Sequence, residues 1–231
     1  DCGRSEQPHK LLGILLEAEC REVALLHLAD FIDNLLQAEC CARGTDIATL
    51  ADFGYLLEHL LVERVETNGG ASEQVNLLYG ENPNKSVRAW TKQFNEAGIK
   101  TMMLERALNG LRMFPVPADV RQLMCKVKKA QGVDVIRSFC GLNDPRNLEL
   151  SVKYAKEAGL ISQAALSITY SEIHTVEYYM SIVDKLVEFG ADEIGLKDMA
   201  GIGRPASLGK LVKNIKEKYP HIRVQYHGHS G

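Results

Sequence analysis

One pattern recurs along this chain and restricts its fold more than any other feature. A run with helical spacing of apolar residues ends in a glycine, and an unbroken apolar run follows at once. Val87, Trp90, Phe94 and Ala97 precede Gly98 and then Ile99–Leu104. Val120, Leu123, Met124 and Val127 lead to Gly132 and Val133–Phe139. Leu148, Val152 and Ala155 lead to Gly159 and Leu160–Ile168. Val176, Tyr179, Val183, Leu186 and Val187 lead to Gly190 and Ala191–Leu196. Apolar residues three and four apart mark the buried face of a helix. A glycine behind them suits the left-handed residue that closes a helix, because it has no Cβ to strain. An apolar run without alternation marks a strand covered on both faces, as in a parallel sheet.

The glycines recur about every thirty residues, the length of one βα unit. Parallel strands need such a crossover between them. Leu25–Phe31 and Leu61–Val65 read as two earlier strands. A stripe of Leu208, Leu211, Val212, Ile215 and Tyr219 precedes a last strand at Ile222–Tyr226. Seven strands at this period predict an α/β chain of the (β/α)8, or TIM, barrel type, incomplete because the eighth strand is missing. Residues 1–22 fit no unit, which leaves the barrel to 23–231.

Composition narrows the function classes. With 45% hydrophobic and 25% charged residues the chain is globular, and 231 residues suffice for a substantial core. A net charge of -3 offers no basic face, so no nucleic-acid partner is expected. Leu11–Leu16 is too short to span a bilayer, and no signal peptide is evident, so the expected location is the cytoplasm with no transmembrane segment. Cys2, Cys20, Cys40, Cys41, Cys125 and Cys140 form no C-x-x-C pair and read as reduced, packed thiols. The chain opens on Asp1 and stops at Gly231, which reads as part of a longer polypeptide, inactive by itself.

Chemistry in such barrels sits at the C-terminal ends of the strands. Those ends carry Asp33, Glu66, Arg106, Asn143 and Asp144, Thr169, Lys197 and Asp198, and His227 with His229. On a strand, His227 and His229 point to the same side, where two imidazoles can hold one metal or stand as surface histidines around a Gly228 turn. Lys197 follows a buried strand and points into the barrel mouth, where an ion pair with Asp198 or Glu66 is the plain alternative to function. As an ammonium it is a poor metal ligand. Arg106 is a candidate fork for a carboxylate, or a partner of Glu105. Asp144-Pro145 and Arg204-Pro205 read as helix openings, Trp90 as core, and Asn68-Gly69-Gly70 as a place of close backbone approach.

Several of these segments together resemble one family, the biotin-dependent carboxyltransferases. The similarity lies in Asp134–Phe139 with Leu142–Asn147, in His174–Tyr179, in Lys197–Gly201 and in His227–Ser230. That family includes the carboxyltransferase domain of pyruvate carboxylase, the α subunit of oxaloacetate decarboxylase and the keto-acid subunit of transcarboxylase. The resemblance runs from about Val62 to Gly231 and makes 23–231 a partial carboxyltransferase barrel. It implies a divalent metal (Zn, Mn or Co) held by Asp33, a carbamylated Lys197, His227 and His229, with Arg106 binding the substrate carboxylate. Carbamylation would remove the objection to Lys197 by making it an anionic oxygen ligand.

The same resemblance implies a catalyst that moves a carboxyl group between carboxybiotin and pyruvate or oxaloacetate through a metal-stabilised enolate, with Lys197 and Arg106 as its catalytic residues. No biotinyl-lysine motif is present, so biotin is expected on a separate carrier domain or subunit. A homo-oligomer is expected for the full-length protein. The family's His-Gln pair after the metal Asp is Leu35-Leu36 here, its fourth-strand Asp is Cys140, and the Trp before its Gly-Gly pair is Asn68. Two other classes fit the metal residues: a lyase or Claisen-type barrel acting on acyl-CoA, and a truncated barrel without activity. The first lacks a counterpart of Lys197–Gly201.

Overall fold

The computed structural model describes residues 63–70 and 78–229. Six strands lie within them: β1 (Arg64–Gly69), β2 (Lys100–Glu105), β3 (Val135–Phe139), β4 (Ile161–Ser167), β5 (Glu193–Asp198) and β6 (Arg223–Gly228). They pair in sequence order, each parallel to the next. The crossovers are the helices α1 (Pro83–Glu96), α2 (Ala118–Ala130), α3 (Glu149–Glu157), α4 (Val176–Glu188) and α5 (Pro205–Lys218). This is the order and connection of a (β/α)8 barrel, described over six of the seven expected strands. The expected strand at 25–31, with Asp33, Leu35 and Leu36, lies outside the described residues, as do residues 1–22.

Side chains report that the sheet is curled. Arg64 on β1 donates to both carboxylate oxygens of Glu193 on β5, at 2.6 and 2.8 Å. In a flat sheet those strands would stand roughly 19 Å apart at the usual strand spacing, beyond the reach of the two side chains. Arg223, opening β6, likewise forms two 2.6 Å bonds to Glu63 before β1.

The apolar core fills the convex side, between sheet and helices. One cluster joins Ala164, Leu166, Ile194 and Leu196 to Val152, Val183, Leu186, Leu211 and Ile215. A second joins Met103 and Ile136 to Val87, Cys125 and Ala155. The helix ends follow the local reading. Gly98, Gly132, Gly159 and Gly190 have φ of 78, 97, 73 and 93°. Asp144 caps a 3-10 turn at Pro145–Asn147 by accepting from the Arg146 N–H at 3.0 Å, and Pro205 opens α5. Among the described residues no helix is long and apolar enough to cross a membrane.

The expected stripe on α2 is a correction. Val120, Leu123 and Val127 are exposed, and the helix buries Arg121, Cys125 and Lys128 instead. The helix is turned so that Arg121 lies 6.0 Å over the Tyr154 ring and beside the buried Glu105 carboxyl. A buried carboxyl beneath the helix needs a polar neighbour, and turning Arg121 toward it leaves two valines and a leucine outside.

Candidate functional site

Alternation along each strand sends every second side chain to the concave face. Arg64 and Glu66, Arg137 and Phe139, Gln163, Glu193 and Lys197, and Gln225 and His227 line it, strand by strand. The deepest layer is Glu193, bound to Arg64 and to the Gln163 amide at 2.9 Å, with Gln163 also donating to Gln225 Oε1 at 2.8 Å. Above it lies Arg137, 2% exposed. Its Nε donates to Gln163 Oε1 at 2.6 Å and its Nη1 to Glu66 Oε2 at 2.5 Å. The same Nη1 stands 2.7 Å from His227 Nδ1.

The top layer belongs to Lys197 and the two histidines. His227 Nε2 and His229 Nε2 face one another at 2.9 Å. Lys197 is paired in register with His227 on the neighbouring strand, is buried, and lies 5.1 Å over the Phe139 ring. Gly228 between the histidines permits this end of the sheet: a Cβ there would lie 2.6 Å from Tyr226 Oη. That hydroxyl donates to Asp198 Oδ2 at 2.9 Å.

The electrostatics follow from burial and neighbours. Burial works to raise the Glu66 carboxyl, but Arg137, His227 and Lys197 overcome it and hold Glu66 well below the usual carboxylate range. Burial first, then the charge of Lys197, lowers His229 below the ordinary imidazole range, so it is neutral at pH 7. A neutral imidazole is the form that can ligate a metal.

The expected strand-end residues separate into groups. Lys197, His227 and His229 come together. Glu66 does not sit at the mouth; it is the third residue of β1 and reaches inward to Arg137. Asp198 points away from Lys197 and accepts from the Ile202 and Gly203 N–H groups at 3.0 and 2.6 Å, which closes the loop after β5. Asn143 is structural, bonded through its amide to Ser167 N and O at 2.7 Å each. Thr169 N donates to Tyr179 Oη. Arg106 bonds the Arg112 carbonyl at 3.4 Å and lies against Gly70, where a Cβ would be 2.7 Å from its Nη1. Glu105 is not its partner, since it faces the convex side and binds Ser138.

Arg137, Gln163 and Glu193 escaped the strand-end reading. The signal was present: each is a polar residue inside an apolar run, and such a residue must find a buried partner. Among the described residues no group of three or more His, Cys, Asp and Glu side chains gathers at one point. The described side chains that could donate to a metal here are the two imidazoles, with Lys197 beside them. That donor set fits a divalent cation, because two nitrogen ligands already aim at one place and an oxygen-bearing lysine derivative would complete a third.

Comparison with known proteins finds relatives of the whole described region. Pyruvate carboxylase of Schizosaccharomyces pombe is 33% identical over 195 residues, 81% of this chain and 16% of that protein. One subunit of the pyruvate carboxylase of Methanocaldococcus jannaschii is 33% identical over 166 residues, 71% of this chain and 29% of its own length. The methylmalonyl-CoA carboxyltransferase 5S subunit of Propionibacterium freudenreichii subsp. shermanii is 31% identical over 168 residues, 72% of this chain and 33% of that subunit. The chain is a homologue of the biotin-dependent carboxyltransferases. Among solved structures, the carboxyltransferase domain of Rhizobium etli pyruvate carboxylase matches with a TM-score of 0.68 and 26% identity, over 75% of this chain and 29% of that one. The same domain with pyruvate and biocytin matches with a TM-score of 0.69 and 26% identity, over 75% of this chain and 30% of that one. No family model matches. The chain spans 16 to 33% of the length of these curated relatives.

Proposed function

We propose that this barrel is the keto-acid site of a biotin-dependent carboxyl transfer, with pyruvate and oxaloacetate as the acceptor and product pair. One observation carries the reading. His227 and His229 converge beside Lys197 on the concave face, at the C-terminal end of a barrel whose homologues are carboxyltransferases. His227, His229 and Lys197 would hold a divalent cation there, with Asp33 as the further ligand. Such a cation, when bound, supplies Lewis-acid polarisation of a ketone. Arg106, at the end of β2, offers a planar fork to the substrate carboxylate.

Carboxyl transfer then has a balanced form. The C–N bond of carboxybiotin breaks, a C–C bond forms at the pyruvate methyl carbon, and the proton released by that methyl passes to the biotin nitrogen. Reversal decarboxylates oxaloacetate. Biotin would arrive on a carrier domain or subunit. Cys125 and Cys140 are buried free thiols, which favours a reducing compartment such as the cytoplasm.

Purified full chain supplied with Zn, Mn or Co is the test, read by bound metal and by oxaloacetate decarboxylation with free biotin. The expected result is about one metal per chain and its loss in His227→Ala/His229→Ala. Equal metal content in that double variant and the parent would overturn the metal site, and with it this reading.

A further inference from the structure

Between the first turns of α4 and α5 lies a cavity of about 240 Å³, on the convex side of the sheet. Its wall toward the strands is the segment that follows β4. Ile168 in that segment donates its N–H to the Lys197 carbonyl at 2.8 Å. The cavity thus stands behind the strand whose other face carries the Lys197 side chain. Hydrogen bonds fix the wall. The Tyr179 hydroxyl accepts from the Thr169 N–H at 2.9 Å and donates to the Thr169 carbonyl at 3.1 Å. Tyr170 Oη accepts from the Arg204 N–H at 2.6 Å, which ties the loop after β4 to the start of α5.

The lining is sorted by polarity. Ile168, Tyr179 and Leu211 are buried and form an apolar floor, while His174, Ser207 and Lys210 are more exposed and stand at the edge. No carboxylate lines the cavity; Glu172 and Glu177 flank His174 in sequence without reaching it. Among the described residues Lys210 has no ion pair and Ser207 no side-chain hydrogen bond. Ser171 Oγ occupies His174 Nδ1 at 2.7 Å, which leaves Nε2 for another partner. An apolar floor beneath a few convergent polar groups is the make-up of a small-molecule site. A cation at the edge, with no acid in the lining, selects a negative end. The volume, equal to roughly eight waters, restricts the occupant to a few carbon atoms.

We propose that this cavity binds a short-chain monocarboxylate, its hydrocarbon part against Ile168, Tyr179 and Leu211 and its carboxylate at Lys210 and Ser207. The site is separate from the barrel mouth and does not depend on a metal there.

Butyrate is the probe, titrated into the full chain with a chelator present and read by calorimetry and by NMR of the His174 ring. Its expected affinity is roughly millimolar, as a ligand of about six heavy atoms allows. Butyramide, of the same shape without the charge, is expected to bind roughly three- to tenfold more weakly, the worth of an exposed ionic contact. Lys210→Gln should weaken butyrate by the same factor and leave butyramide unchanged. Leu208→Trp, which fills the cavity from α5, should abolish both. Lys126→Gln, which removes an exposed lysine on α2, should alter neither. Lys210 is exposed, so its variant folds and remains informative even where Leu208→Trp does not. No butyrate binding by the parent, equal affinity for butyrate and butyramide, or unchanged butyrate affinity in Lys210→Gln overturns the proposal. Butyrate binding that survives Leu208→Trp and disappears in Arg106→Met belongs to the barrel mouth, which also overturns it and leaves the keto-acid reading standing.

Discussion

A single missing Cβ decides where Arg106 can lie. A methyl on Gly70 would stand 2.7 Å from Arg106 Nη1, 2.8 Å from its Cζ and 2.9 Å from the Leu111 carbonyl. Gly70→Ala must displace the guanidinium from the mouth of the barrel. The expected outcome is oxaloacetate affinity weaker by roughly 10- to 100-fold, the equivalent of a lost charged hydrogen bond, with metal content unchanged. Unchanged affinity would remove Arg106 from substrate binding. The contrast with Arg137 shows what the chain discloses at this scale. His227, His229 and Lys197 were legible because they stand at strand ends, where polar residues are expected to act. Arg137 and Glu193 were hidden inside apolar runs that otherwise read as strands covered by greasy neighbours on both sides. The concave face of this barrel is polar in layers, and nothing in residue spacing alone says which face a charged residue inside a run will take.

Elements were read well where their apolar stripe and their burial coincide. The stripe of α4 packs as expected, with Tyr179, Val183 and Leu186 buried, and the four closing glycines adopt left-handed backbone. Strand limits moved by one to four residues, as when Ile99–Leu104 became β2 at Lys100–Glu105. The helix α2 turned a different face inward, and the cause is Glu105 beneath it. Burial pushes that carboxyl above its usual range, against the opposing pull of Ser138, Ser151 and Arg121. Between the unfolded and the raised folded value, the folded chain keeps a proton that the unfolded chain has released. Stability contributed by this group therefore falls as pH rises through that window, from roughly pH 4.3 upward. Glu105→Gln is neutral throughout and lacks this slope. Urea unfolding at pH 4 to 8 should give a variant close to the parent at pH 4 and progressively more stable above it, by up to about 1.4 kcal/mol per pH unit. Parallel curves for the two proteins would show that Glu105 ionises normally.

At the scale of the whole barrel, the curl depends on contacts between strands that are not neighbours. The convex core holds each helix to the two or three strands beneath it, but it does not join β1 to β5 or β6. Among the described residues that task falls to Arg64–Glu193, whose side chains are 5% and 7% exposed, to the Glu66 carboxylate beside Arg137 and His227, and to the more exposed Arg223–Glu63 pair. Surface pairs of the last kind contribute about 0–1 kcal/mol. The buried Arg64–Glu193 pair behaves differently: breaking it leaves one charge without its partner in the interior, at a cost of about 3–5 kcal/mol, while neutralising both ends costs much less. Arg64→Met should therefore be severely destabilised, since Glu193 would keep the Gln163 amide but lose the guanidinium that neutralises it. Adding Glu193→Gln should recover part of the loss, because the charge is gone and an amide oxygen can still accept from Gln163. The expected coupling in a double-mutant cycle, measured by urea unfolding of the full chain, is at least about 1 kcal/mol in favour of the double variant over the sum of the singles. Strict additivity would mean that the two side chains do not sense one another, and that this pair does not hold the curl of the sheet.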